Sequence, residues 1–114
     1  MGNIFMEFFT TRIRVQLSVI KPDSTDAITV HGVKKDNYLL QIMQQARCNQ
    51  ELEFETTSTS WGESVTSING LRAESSKREY WALLDGTTGN FLPLGVSSYQ
   101  PSDGEHIVFE LRKW

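Results

Sequence analysis

An α+β fold, in which a mixed β-sheet cups a single helix, is predicted by three observations. Period-two alternation of apolar and polar residues recurs near both ends of the chain and in its middle. A single stretch, Leu39 to Ala46, carries the i, i+3, i+4, i+7 apolar spacing of an amphipathic helix. Turn signals rather than linkers separate these segments, so no break in composition divides the 114 residues into two units.

Each element follows from its residues. Ile13, Val15, Leu17 and Val19 alternate with Arg12, Arg14, Gln16 and Ser18, the pattern of a half-buried strand with one wet face. Lys21-Pro22-Asp23-Ser24 is a turn, and Ala27 to Val30 forms a shorter strand ending at His31-Gly32. Asp36 is the expected N-cap, its carboxylate accepting from the orphan amides of the first helical turn. Leu39, Ile42, Met43 and Ala46 form the core-facing stripe, Gln41, Gln44 and Gln45 face water, and a left-handed Asn49 ends the helix. Leu52, Phe54 and Thr56 alternate with Glu53 and Glu55 in a third strand, and an extended piece around Val65 and Ile68 follows Trp61-Gly62. Asn69-Gly70 is a turn, Ala73 to Lys77 a polar loop, and Tyr80 to Leu84 a strand broken by the run from Asp85 to Asn90. After the turn Pro101-Ser102-Asp103-Gly104, Ile107, Phe109 and Leu111 alternate with Glu110 and Arg112 in a closing strand. Two strands, one helix and several returning strands suit a β-grasp-like mixed sheet packed on that helix.

Bulk properties narrow the function classes. Hydrophobic residues at 39% and charged residues at 22% are globular values. A net charge of -3 with no basic stripe argues against nucleic acid as a partner, and no apolar run has the length of a membrane span. Cys48 is the single cysteine, which excludes an internal disulfide. Residues 1–10 read as an N-terminal extension to a domain over 11–114. Met1 to Phe9 lacks the basic n-region and cleavage site of a secretory signal, and Met6 stands where myristoylation at Gly2 wants Ser or Thr.

Chemistry-bearing residues are few. His31 and His106 have no His, Cys or carboxylate at ligand spacing, which disfavours a metal site. Glu105 and His106 are adjacent in a strand and so face opposite ways. Cys48 sits at a helix C-terminus, whose dipole disfavours a thiolate. No nucleophile elbow, phosphate loop or closely spaced acid pair occurs, and the chain is not expected to be an enzyme. The runs Ser58 to Gly70 and Tyr80 to Gly86 each set an indole beside small, hydroxylated or glycine positions. Such a pairing can build an apolar, nearly flat surface fringed with hydroxyls. Burial statistics favour Trp81 as core, leave Trp61 balanced between core and platform, and make Trp114 a plug at the sheet edge.

Six spaced motifs carry a family resemblance. They are Phe54-Glu55-Thr56-Thr57, Ser60-Trp61-Gly62, Val65 with Ser67-Ile68-Asn69, Tyr80-Trp81 with Leu83-Leu84, Pro93-Leu94-Gly95-Val96, and Tyr99-Gln100-Pro101 with Gly104-Glu105-His106-Ile107. In this order the chain resembles the C-terminal β-domain of the cobalamin carriers, the family of intrinsic factor, transcobalamin and haptocorrin. The resemblance implies non-catalytic binding of cobalamin (vitamin B12) or a related corrinoid as a ligand. In that family a helical barrel and this β-domain close on opposite faces of the corrin. By position, the contacts fall on Ser60, Val65, Leu83 and Leu92, with Trp61 and Trp81 nearby. Val65, Leu83 and Leu92 would supply apolar area, and Ser60 would hydrogen-bond an amide arm. The resemblance further implies an extracellular setting and a helical carrier domain or a receptor as further partner. The barrel is not in this sequence. If one corrin face buries about 300 Å² of apolar surface, the gain at about 25 cal/mol/Å² is about 7 kcal/mol. Association costs about 4 to 15 kcal/mol, so this domain alone should bind weakly. Two other readings stand beside this one: a β-grasp module that binds another protein through an apolar patch or a free sheet edge, and a fragment with neither activity.

Overall fold

The structure, a computed structural model, describes residues 11–114. The N-terminal extension, with the signal and acylation readings of Met1 to Phe9, lies outside the described residues. Among the described residues, seven strands and one α-helix follow in the order β1 (Arg12–Ile20), β2 (Thr25–Lys34), α1 (Leu39–Cys48), β3 (Phe54–Thr59), β4 (Gly62–Ile68), β5 (Leu71–Arg72), β6 (Glu79–Asp85) and β7 (His106–Lys113). Two sheets result. One has the order β2-β1-β7-β6 and the other β3-β4-β5.

The four-stranded sheet is mixed. β1 pairs antiparallel with β2 and parallel with β7, and β6 closes antiparallel on β7, with Trp81 opposite Leu111 and Leu83 opposite Phe109. Alternation sends Val15, Leu17 and Val19 of β1, with Ile107 and Phe109 of β7, into one core with Leu39, Ile42, Met43 and Ala46 of α1. Phe54 and Ile68 of the smaller sheet close the same core. A second, smaller cluster of Ala82, Leu84 and Val108 lies apart from it, beside Ile20 and Tyr80. There Ser18 is buried, and its Oγ lies 2.7 Å from His106 Nε2.

Local chemistry corrects several expectations. Asp36 is not the N-cap: it turns the chain at φ 71°, and Tyr38 caps the helix. The Gln41 side chain accepts from the Tyr38 N–H at 2.8 Å, while the Leu39 and Leu40 amides donate to the carbonyls of Tyr99 and Val96 at 2.8 Å. The helix therefore starts where a distant loop can satisfy its orphan donors. Asn49 is not left-handed, having φ -84°; Gln50 at φ 62° takes that role. Glu51 N–H then donates to the Ala46 carbonyl and Gln50 N–H to that of Arg47, a Schellman closure. β2 runs on past His31-Gly32, because Gly32 at φ 63° absorbs a bulge opposite the Ile13–Val15 stretch. Leu52 is buried but precedes β3, β5 adds a two-residue strand after the turn, and the expected loop holds a 3-10 turn at Ser75–Lys77. Trp114 does not plug an edge; it is 59% exposed and leans on Tyr80, with ring centroids 6.4 Å apart.

Candidate functional site

Between the β3–β4 hairpin and the inner face of β6 lies an open groove of about 490 Å³. Its hairpin wall is made at the turn from Thr59 to Gly62. Thr59 Oγ1 donates to the Gly62 carbonyl at 2.6 Å and accepts from the Trp61 N–H at 3.1 Å. Gly62 holds φ 108° and passes so close to Ser97 that a Cβ there would lie 2.9 Å from the Ser97 Cβ. Only glycine suits both the backbone and the contact. The turn thus projects the Trp61 indole into solvent, 93% exposed, at the rim of the groove. An indole so placed is available to a ligand and carries no core packing.

β6 supplies the floor. Trp81 and Leu83 are two residues apart and share a face; Trp81 is 8% exposed, and its Nε1–H donates to the Leu71 carbonyl at 3.3 Å. Phe109, opposite Leu83 on β7, lies beneath. Val65 adds an apolar step on the hairpin side, and Gly95 with Val96 forms the third wall. That wall is tied to the hairpin by the Glu63 N–H, which donates to Ser97 Oγ at 2.9 Å. The same loop caps α1 through the carbonyls of Val96 and Tyr99. The groove is therefore held by the two sheets and the helix start together.

Of the six residues singled out from sequence, Trp61, Val65, Trp81 and Leu83 line this one groove. Ser60 sits exposed in the turn beside Trp61, outside the lining. Leu92 is half-buried against the core and donates its N–H to the Leu83 carbonyl at 3.0 Å, also outside the lining. The sequence reading missed Glu63, Tyr80, Val96 and Phe109 as lining residues. For Glu63 the signal was present: it stands two residues before Val65 and so shares its strand face. Val96 and Phe109 come from elements far along the chain, and their place here is set by tertiary packing. Thr56 Oγ1 donates to Glu63 Oε1 at 2.9 Å. The Ser58 and Thr56 hydroxyls hold the Glu63 carboxyl below the usual carboxylate range. Among the described residues no trio of His, Cys, Asp or Glu side chains converges as a metal site would require.

Residues 36–113 match the family model described as "Domain of unknown function (DUF4430)". Human cobalamin binding intrinsic factor is 42% identical over 78 residues, which are 68% of this chain and 18% of that protein. Human transcobalamin-1 is 30% identical over 86% of this chain and 26% of its own length. The chain thus spans about a quarter or less of these relatives. Among solved structures, haptocorrin in complex with Cbi superposes with a TM-score of 0.81 at 30% identity, over 93% of this chain and 26% of that one. A Ruminococcus gnavus ATCC 29149 protein described as a candidate metal binder gives a TM-score of 0.74 at 18% identity over 90% of this chain and 98% of its own, a likeness of fold alone. By the span of the family match and by its relatives, the chain belongs to the DUF4430 domain family and is homologous to the cobalamin carriers intrinsic factor, transcobalamin and haptocorrin.

Proposed function

We propose that residues 11–114 form a corrinoid-binding β-domain that holds one face of a cobalamin or cobinamide in the Trp61–Leu83 groove, without chemistry on the ligand. The observation that carries this reading is the groove itself. An exposed indole, Val65, a Trp81–Leu83 floor and a polar fringe face one open cleft, in a chain that superposes on haptocorrin in complex with Cbi. Apolar floor and scattered hydrogen-bonding groups suit a corrin, whose broad face carries methyls and whose rim carries amide arms. Ser60 and Leu92, next to lining residues in the chain or by hydrogen bond, are read as contacts at the edge of the same ligand.

The domain covers a single face. Weak capture is the expected state of the isolated chain, and a helical carrier domain or a receptor on the other face would raise affinity through effective concentration. We read the β2-β1-β7-β6 order, with first and last strands parallel and a helix on one side, as a β-grasp arrangement. Kinship with the cobalamin carriers supports an extracellular setting as part of this reading. Residues 1–10 are read as an N-terminal extension to this domain.

Calorimetric and tryptophan-fluorescence titration of the purified chain with cobinamide and cobalamin tests the proposal. The expected result is saturable quenching with a Kd in the high-micromolar to millimolar range. Absence of heat and of quenching at millimolar ligand would remove corrinoid binding as a property of this chain.

A further inference from the structure

Glu63 is the one charged side chain among the described residues that line the groove. It falls in the gap between the matched segments Ser60-Trp61-Gly62 and Val65, so no motif accounts for it. Its position is nonetheless built. β4 puts it on the same hairpin face as Val65, with Ser58 directly across the ladder and Thr56 diagonal to it. Its backbone is anchored to Ser97 Oγ at 2.9 Å, and Thr56 Oγ1 fixes Oε1 at 2.9 Å. The two neighbouring hydroxyls favour the ionised form. An ionised carboxylate accepts and never donates, and it offers about four lone-pair sites. Two hydroxyl donors leave acceptor capacity on a carboxylate that lines the cleft.

Such a group discriminates by charge and by hydrogen-bond polarity. It bonds an N–H donor, strongly because it is charged, and it repels a second carboxylate brought against it. We propose that Glu63 is a specificity-determining residue of the groove, accepting hydrogen bonds from carboxamide N–H groups on the rim of a corrinoid and rejecting corrinoids in which the facing arm is a carboxylate. This inference rests on the corrinoid reading above and names the arm chemistry that the site selects. Selection for a carboxylate arm would need a cation, and the other lining side chains carry no charge: they offer hydroxyls, indole N–H groups and apolar surface.

The test titrates cobinamide and its monocarboxylate derivatives, in which one amide is hydrolysed, into the wild-type chain, Glu63→Gln and Glu63→Leu at neutral pH. Circular dichroism melts confirm that each variant folds. The wild type is expected to prefer the fully amidated ligand over at least one monocarboxylate by about tenfold, a preference that shrinks as salt screens the repulsion. Glu63→Gln should cut that preference to about twofold or less while moving the cobinamide Kd by less than about fivefold. Glu63→Leu should weaken cobinamide and abolish the salt dependence of the preference. If every monocarboxylate binds wild type as well as cobinamide does, or if Glu63→Gln keeps the wild-type preference, the Glu63 assignment is overturned while corrinoid binding stands. If wild type binds none of the ligands, the corrinoid reading falls and takes this inference with it.

Discussion

Trp61 and Trp81 are the same side chain in two settings. The first is 93% exposed at a turn held by Thr59 and Gly62, the second 8% exposed on the floor of the cleft. Removing each should therefore have different effects. Trp81→Ala opens a core cavity and should cost about 3–5 kcal/mol. Trp61→Ala removes an indole from water and should change stability by less than about 0.5 kcal/mol. Urea unfolding checks both, and equal losses would show that the rim indole is a packing residue after all. Tyr99 gives a pH signature. Burial first, then the Glu105 carboxylate bonded by its hydroxyl at 2.6 Å, push the phenol from 10.0 up to about 12. The folded state thus keeps a proton that the unfolded chain releases. Its contribution is complete below about pH 10 and is lost as pH rises through about 12. Chemical denaturation across that window should show falling stability, and Tyr99→Phe should make the decline shallower.

At the scale of elements, the β4–β5 turn ties the smaller sheet to β2 of the larger one. Asn69 takes φ 47°, accepts from the Glu53 N–H at 3.0 Å and donates to Asp26 Oδ2 at 2.9 Å. Asn69→Ala deletes both bonds and leaves a Cβ in left-handed backbone, a loss of about 2–3 kcal/mol. Asn69→Gly should recover about 1 kcal/mol of it, and thermal melts of the pair separate the two contributions. This turn was legible in sequence because Asn-Gly is a local signal, as was the stripe of α1, which depends only on spacing. The caps of α1 were not. Asp36 looks like a cap in isolation, yet the first amides of the helix are satisfied by Val96 and Tyr99 carbonyls from the other end of the chain. β5, two residues long, is too short to show any periodicity. The groove divides in the same way. Trp61, Val65, Trp81, Leu83 and Val96 sit in segments whose motifs carry the family likeness, whereas Phe109 belongs to none of them and reaches the cleft only through its register opposite Leu83. Ser60 and Leu92 were assigned by alignment position, which fixes a place along the chain and leaves the direction of a side chain open.

For the whole molecule, the governing fact is that the chain spans 18% of intrinsic factor and 26% of transcobalamin-1. What it contains is a complete sheet-and-helix core with an open cleft on one side. The core does not need a ligand to be buried, so fold and binding are separable, and variants of the rim can be read as binding variants. On the proposed reading, single-face contact would gain about as much as association costs, which would put the isolated domain near the threshold of detectable binding. Nuclear magnetic resonance titration of the isotope-labelled chain with cobinamide is the most direct measurement, because it remains sensitive there and locates the ligand. Corrinoid binding in the groove should give fast-exchange shifts in the Trp61 and Trp81 indole N–H signals and in the Gly62, Val65 and Gly95 amides, with Ala82 and Val108 in the second apolar cluster unmoved. Silence at millimolar cobinamide, or shifts confined to the outer edge of β2, would contradict it.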